Sequence, residues 1–100
     1  MKKNKYTGYW VWIQNKIELN IYTWTGAFVF NDEGKRSWIN VQAAKSHDGY
    51  HLKIPNDIKQ YWLAFSLNEF KDFDQEGPFN NDEDICWYWH GHEHNWKVYP

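Results

Sequence analysis

His90, His92 and His94 alternate through the segment His90-Gly91-His92-Glu93-His94. Side chains on an extended strand repeat with period two, so the three imidazoles would share one face. Neutral imidazole nitrogens at that spacing can converge on zinc or another transition metal. His47 and His51 flank Asp48-Gly49 and would add a ligand if that turn folds beside the C-terminal strand. The spacing differs from that of helical zinc-protease motifs, and no open coordination position or general base stands out. The same residues also read as a polar turn between two strands. Cys86 falls on the same strand face as His90. A thiol and an imidazole can form a nucleophilic pair, but a Cys between Ile85 and Trp87 reads more simply as a small packed hydrophobe.

A second chemical candidate is acidic. From Glu69 to Asp84 there are seven acidic residues and one Lys, while the remainder holds ten basic and six acidic residues. Asp72, Asp74 and Glu76 head this stretch, which we read as a polar loop over Asp72 to Asp84. Such a segment can hold a cation or a basic partner, or simply be solvated. Laid on a calcium-binding template, Asp72, Asp74, Glu76, Asn80 and Glu83 fall at oxygen-ligand positions, with Gly77 at the sharp turn. Over these twelve residues the segment resembles an EF-hand loop, which implies a calcium site. Glu76 departs from the Asp or Asn usual at its position, and no amphipathic helices flank the loop.

Aromatic rings are the third and densest feature. Of 100 residues 21 are aromatic, and eight of these are Trp. Trp and Tyr dominate binding hot spots and stack on bases and sugars. The rings recur in blocks, Tyr9-Trp10-Val11-Trp12-Ile13 and Trp87-Tyr88-Trp89. Trp10, Trp12, Trp87 and Trp89 form a platform if their two strands are neighbours. Trp24, Trp38 and Trp62 read as core or core edge.

These residues must be positioned by strands. Tyr6 to Gln14 alternates, with Trp10 and Trp12 opposite Tyr9, Val11 and Ile13. Asn15-Lys16 is expected to turn the chain, and Ile17 to Thr25 to form the next strand. Gly26 suggests a bulge before a short strand over Ala27 to Phe30. Asn31 to Gly34 reads as a hairpin loop, and Ser37 to Ser46 as a strand. Asp48-Gly49 is the strongest hairpin signal, suited to a type I′ turn, with Tyr50 to Ile54 returning. Asn56 to Phe73 fits either a helix capped after Pro55 or a helical turn followed by a strand. Ile85 to His90 and Asn95 to Tyr99 complete the set. The pattern predicts a mainly β domain: a small antiparallel meander curled into a barrel or two-layer sandwich, with at most one short helix around residues 56–70. An α+β arrangement is the alternative.

The length suits one domain over residues 1–100, with residues 1–5 a disordered basic tail. One Cys excludes an intrachain disulfide and fits a reducing compartment. No apolar run exceeds five residues, against about 20 for a membrane span. A cytoplasmic location without membrane contact is the expectation. The net charge of −2 speaks against a general nucleic-acid binder. Ten Lys against one Arg suits the AT-rich coding of low-GC bacteria and their phages.

The composition therefore points to a small non-enzymatic binding protein. It would act on a protein partner through an aromatic patch bordered by the acidic loop, as a phage or mobile-element inhibitor or an immunity-type protein would. A homodimer is compatible with the same patch. Two alternatives stay open: a transition-metal protein using His90, His92 and His94, and a binder of a nucleotide or sugar in an aromatic-lined pocket.

Overall fold

A computed structural model describes residues 9–17, 22–45, 47–67, 73–92 and 95–100. Among these, eight strands and no helix form: β1 (Tyr9–Ile17), β2 (Thr23–Phe30), β3 (Arg36–Ala44), β4 (Gly49–Ile54), β5 (Gln60–Ser66), β6 (Asp74–Asn80), β7 (Ile85–His92) and β8 (Asn95–Tyr99). They build a two-layer sandwich. The first sheet runs β4-β1-β7-β8 and the second β3-β2-β5-β6. All pairings are antiparallel except the central β1·β7, which is parallel. A parallel pair needs a long crossover, and here the whole second sheet lies within it.

The core follows the alternation. Val11, Ile13 and Ile17 of β1, Leu52 and Ile54 of β4, and Trp87 and Trp89 of β7 point inward. They meet Ala27, Tyr61, Leu63 and Phe65 of the second sheet. Trp87 and Trp89 lie 5.3 and 5.8 Å from the Phe65 ring, and the Trp96 ring packs at a tilt against Trp89 at 4.5 Å. One polar network spans the two layers. The Tyr50 hydroxyl lies 2.7 Å from Thr25 Oγ1 and 3.1 Å from Thr23 Oγ1, and Trp89 Nε1 donates to Thr25 Oγ1 at 3.4 Å. Burying those hydroxyls unpaired would cost roughly 1–3 kcal/mol each, so the network is what admits them to the core.

Several local expectations change. Asn15-Lys16 does not turn; β1 runs through it to Ile17. Asn15 is buried because its carboxamide donates to Ala44 O and accepts from Ile17 N–H. The strand signal at Ile17 to Thr25 is realised only from Thr23, and residues 18–21 lie outside the described set. The β2·β3 bulge falls between Ala27 and Phe28, one residue past Gly26. Asp48-Gly49 does not form a type I′ hairpin. The positive φ falls on His47 (68°), and the turn carries the chain from the second sheet to the first. Asn56 to Lys59 is a hydrogen-bonded turn, closed by Ile58 N–H on Pro55 O, and its neighbour Asn81 binds Pro55 O and Ile58 O.

The acidic loop expected over Asp72 to Asp84 is mostly a strand, β6. Its Gly77-Pro78 pair sits at a register shift against β5, and a side chain on Gly77 (φ 124°) would meet Trp62 Cδ1 at 3.0 Å. Pro78 is tolerated because β6 is the sheet edge. The extended backbone does not curl carboxylates around a cation, which removes the calcium-loop reading. Asp72, His94 and the tail expected at residues 1–5 lie outside the described residues.

Burial raises the Tyr50 pKa above its ordinary value of 10.0, although its hydrogen bonds pull the other way. Tyr61 is raised too, first by burial and then by Asp82, Glu83 and Asp84. A raised folded pKa gives stability that is complete below the unfolded value and lost as pH climbs through the folded one. Denaturant midpoints should thus hold steady up to about pH 10 and fall above it. Tyr50→Phe should be less stable at neutral pH by about 1 kcal/mol and should flatten the alkaline fall. An alkaline slope identical to that of the unaltered protein would contradict this.

Candidate binding face

The outward residues of the first sheet fall into rows, because strand partners side by side point to the same face. Lys53 stands beside Trp10; His51 beside Trp12 and Cys86; Gly49 beside Gln14, Tyr88 and Tyr99; and Lys16 beside His90 and Lys97. His92 and Asn95 end the face. Trp12, Tyr88 and Tyr99 are exposed to 44, 37 and 47%. Trp10, Trp12 and His51 pack on one another, with His51 edge-on to Trp10 at 4.6 Å and 5.0 Å from Trp12. Lys53 Nζ lies 5.5 Å from the Trp10 ring centroid, within cation–π range.

Gly49 offers no side chain opposite Gln14, so the third row contains a depression of about 310 Å³. Trp12, His51, Cys86 and Tyr88 wall it, beside the Gln14 amide. Next to it, Lys16, His90 and Lys97 line up across three strands. The His90 ring is edge-on to Tyr99 at 5.6 Å. Among the described residues, every Asp and Glu lies in a turn or on β6. Asp84 borders the face at one end, where it accepts the Trp10 N–H at 2.8 Å, and Asp48 borders it beside Gly49. The face is therefore cationic and aromatic on a chain of net charge −2.

The outer side of the second sheet is different. Phe28 is fully buried there, with Trp38 at 5.0 Å, Phe30 at 5.4 Å and Trp62 at 6.3 Å. The Arg36 guanidinium spans Phe28, Phe30 and Phe73 at 4.8 to 5.9 Å and donates to Gln75 Oε1. These rings cover Phe28, while Trp38 and Phe30 themselves stay 41 and 38% exposed. Trp24, Trp38 and Trp62, expected in or at the core, belong to this outer layer instead.

The sequence-derived candidates are thus divided. Trp10 and Trp12 are on the open face. Trp87 and Trp89 are not: they are 6 and 0% exposed, because β7 pairs with β1 in the register Ile13↔Trp87 and Asn15↔Trp89. Asp74 and Glu76 sit on the edge of the second sheet and do not border the Trp10–Trp12 patch. His90 and His92 share a face as expected, but His51 is separated from β7 by the whole of β1. Among the described residues no three His, Cys, Asp or Glu side chains are grouped to hold a metal. Cys86 and His90 are four residues apart on one strand, about 13 Å, too far for a nucleophilic pair. Sequence reasoning missed Gln14, Lys16, Tyr88, Lys97 and Tyr99, which only the pairing register brings beside Trp12.

No protein-family model and no curated protein matches the chain. Solved structures are similar in fold alone. Listeriolysin O aligns with a TM-score of 0.50 and 10% identity over 94% of this chain and 22% of its own. Pneumolysin gives 0.48 and 9% over 94 and 23%, and suilysin from Streptococcus suis 0.47 and 10% over 93 and 22%. The chain spans under a quarter of the length of these proteins.

The placement of the indoles separates their roles. Trp12→Ala should cost about 1 kcal/mol, because Trp10 and His51 cover part of its ring but no cavity is left in the core. Trp87→Ala should cost about 3–5 kcal/mol through its cavity. Chemical denaturation of both variants checks this, and equal losses would refute the assignment.

Proposed function

We propose that this chain is a non-enzymatic binding protein that engages a protein partner through the outer face of its first sheet. One observation supports the reading above others: Trp12, Tyr88 and Tyr99 are exposed together on a lysine-bearing face that also holds a depression beside Gly49. Exposed aromatics surrounded by polar and cationic groups have the make-up of an interface hot spot. The acidic strand β6 is not part of this surface, so the aromatic patch acts with Lys16, Lys53 and Lys97 rather than with Asp74 and Glu76. An inhibitor or immunity-type role suits a surface of this kind, since it needs only affinity for its target.

The test is comparative capture from a lysate of the source cell. A partner retained by the unaltered protein should be lost with Trp12→Ala or Tyr88→Ala and kept with Asp74→Asn. Loss of about 2 kcal/mol or more is expected for a ring at the centre of such a patch. Retention by both ring variants, or dependence on Asp74 alone, would overturn the reading.

A further inference from the structure

The partner's chemistry can be narrowed, an inference that rests on the binding reading above. We propose that the face takes an acidic protein segment, with one bulky apolar or aromatic side chain seated in the Gly49 depression and a carboxylate on the Lys16–His90–Lys97 row. The depression, about 310 Å³, is at the lower end for a small-molecule pocket and suits a single anchoring side chain. Trp12, His51, Cys86 and Tyr88 wall it, and the Gln14 amide offers both a donor and an acceptor to the anchor's backbone.

The cationic row lies one step along the strands. Gln14 to Lys16 and Tyr88 to His90 are each two residues, or about 7 Å. Two residues on an extended segment laid along β1 span the same distance, so an anchor at one position places a carboxylate at the next but one over the row. Charge complementarity selects the acid: the described residues of this face include Lys16, Lys53 and Lys97 and no carboxylate. Three lysines are few for a nucleic acid, whose binding scales with the number of phosphates neutralised. They are sufficient for one or two side-chain carboxylates.

The experiment is selection of a displayed random-peptide library on the immobilised protein, followed by titration of the enriched peptides. Enriched sequences should pair an aromatic or large aliphatic residue with Asp or Glu two positions away. Their affinity should fall on the order of tenfold in the doubly substituted Lys16→Glu/Lys97→Glu protein and weaken with salt. Gly49 has no positive φ, and a Cβ added there would stand 3.4 Å from Gln14 Oε1. Gly49→Val should therefore fill the depression and abolish anchoring while the protein stays folded. The proposal is overturned if nothing is enriched, if enriched peptides lack acids, or if both variants bind unchanged. It is equally overturned if phosphatidylserine vesicles or a single-stranded oligonucleotide bind more tightly than the peptides and with the same dependence on Lys16 and Lys97. Partner capture that needs Trp12 but survives the charge reversal would end this inference alone and leave the binding reading standing.

Discussion

The parallel pairing of β1 with β7 is the constraint on which the other features depend. It joins two strands from opposite ends of the chain at the centre of the first sheet, in the register Val11↔Ile85 through Ile17↔Gly91. That register sets which rings are hidden. Trp87 and Trp89 fall beside Ile13 and Asn15 and enter the core; Tyr88 and His90 fall beside Gln14 and Lys16 and face out. A slip of one residue would exchange the two sets, exposing two indoles and burying an imidazole. The inward set opposes the slip, because Trp87, Trp89 and Phe65 fill the space between the layers and Trp89 Nε1 has its acceptor at Thr25.

A chain with this many rings cannot place them all between two small sheets, and the surplus is handled in two ways. On the second sheet the rings close over Phe28, and Arg36 lies across them. Phe28 is thereby buried without a third layer of secondary structure, while Trp38 and Phe30 stay exposed. On the first sheet Trp10, Trp12 and His51 pack together at one side, Tyr88 and Tyr99 stand at the other, and the gap between them is kept open by the missing side chain of Gly49. Trp38 and Phe30 on the second sheet are exposed to a similar degree, so what singles out the first sheet's face is the conjunction of exposed rings with lysines and the depression beside Gly49. Gly91 contributes locally: at φ 107° it lets β8 approach so closely that a Cβ there would collide with the Asn95 carbonyl oxygen, and so brings Lys97 and Tyr99 beside β7.

Much of the sandwich is legible in local patterns. The opposition of Val11 and Ile13 to Trp10 and Trp12, the strand returning from Tyr50 to Ile54, and the run from Ile85 all follow from period-two alternation. What is not legible depends on distant partners. Asn15 reads as a turn residue until Ala44 O supplies its acceptor. Asp74 to Asn80, with Gly, Pro and three charged or amide residues at its start, reads as a loop until its edge position excuses the proline. Which parity of β7 faces outward cannot be derived from β7 alone, since both of its faces are aromatic. The site is accordingly half legible: Trp10 and Trp12 stand out in the sequence, whereas Tyr88, Lys16 and Lys97 require the register.

The most direct measurement is amide chemical-shift mapping of the labelled protein as a bound partner or selected peptide is added. Perturbations should concentrate at Trp12, Gln14, Lys16, Gly49, His51, Tyr88, His90 and Lys97. Asp74, Glu76, Trp38 and Phe28 should stay unmoved. Perturbations centred on β6 or on the outer side of the second sheet would contradict the assignment of the binding face.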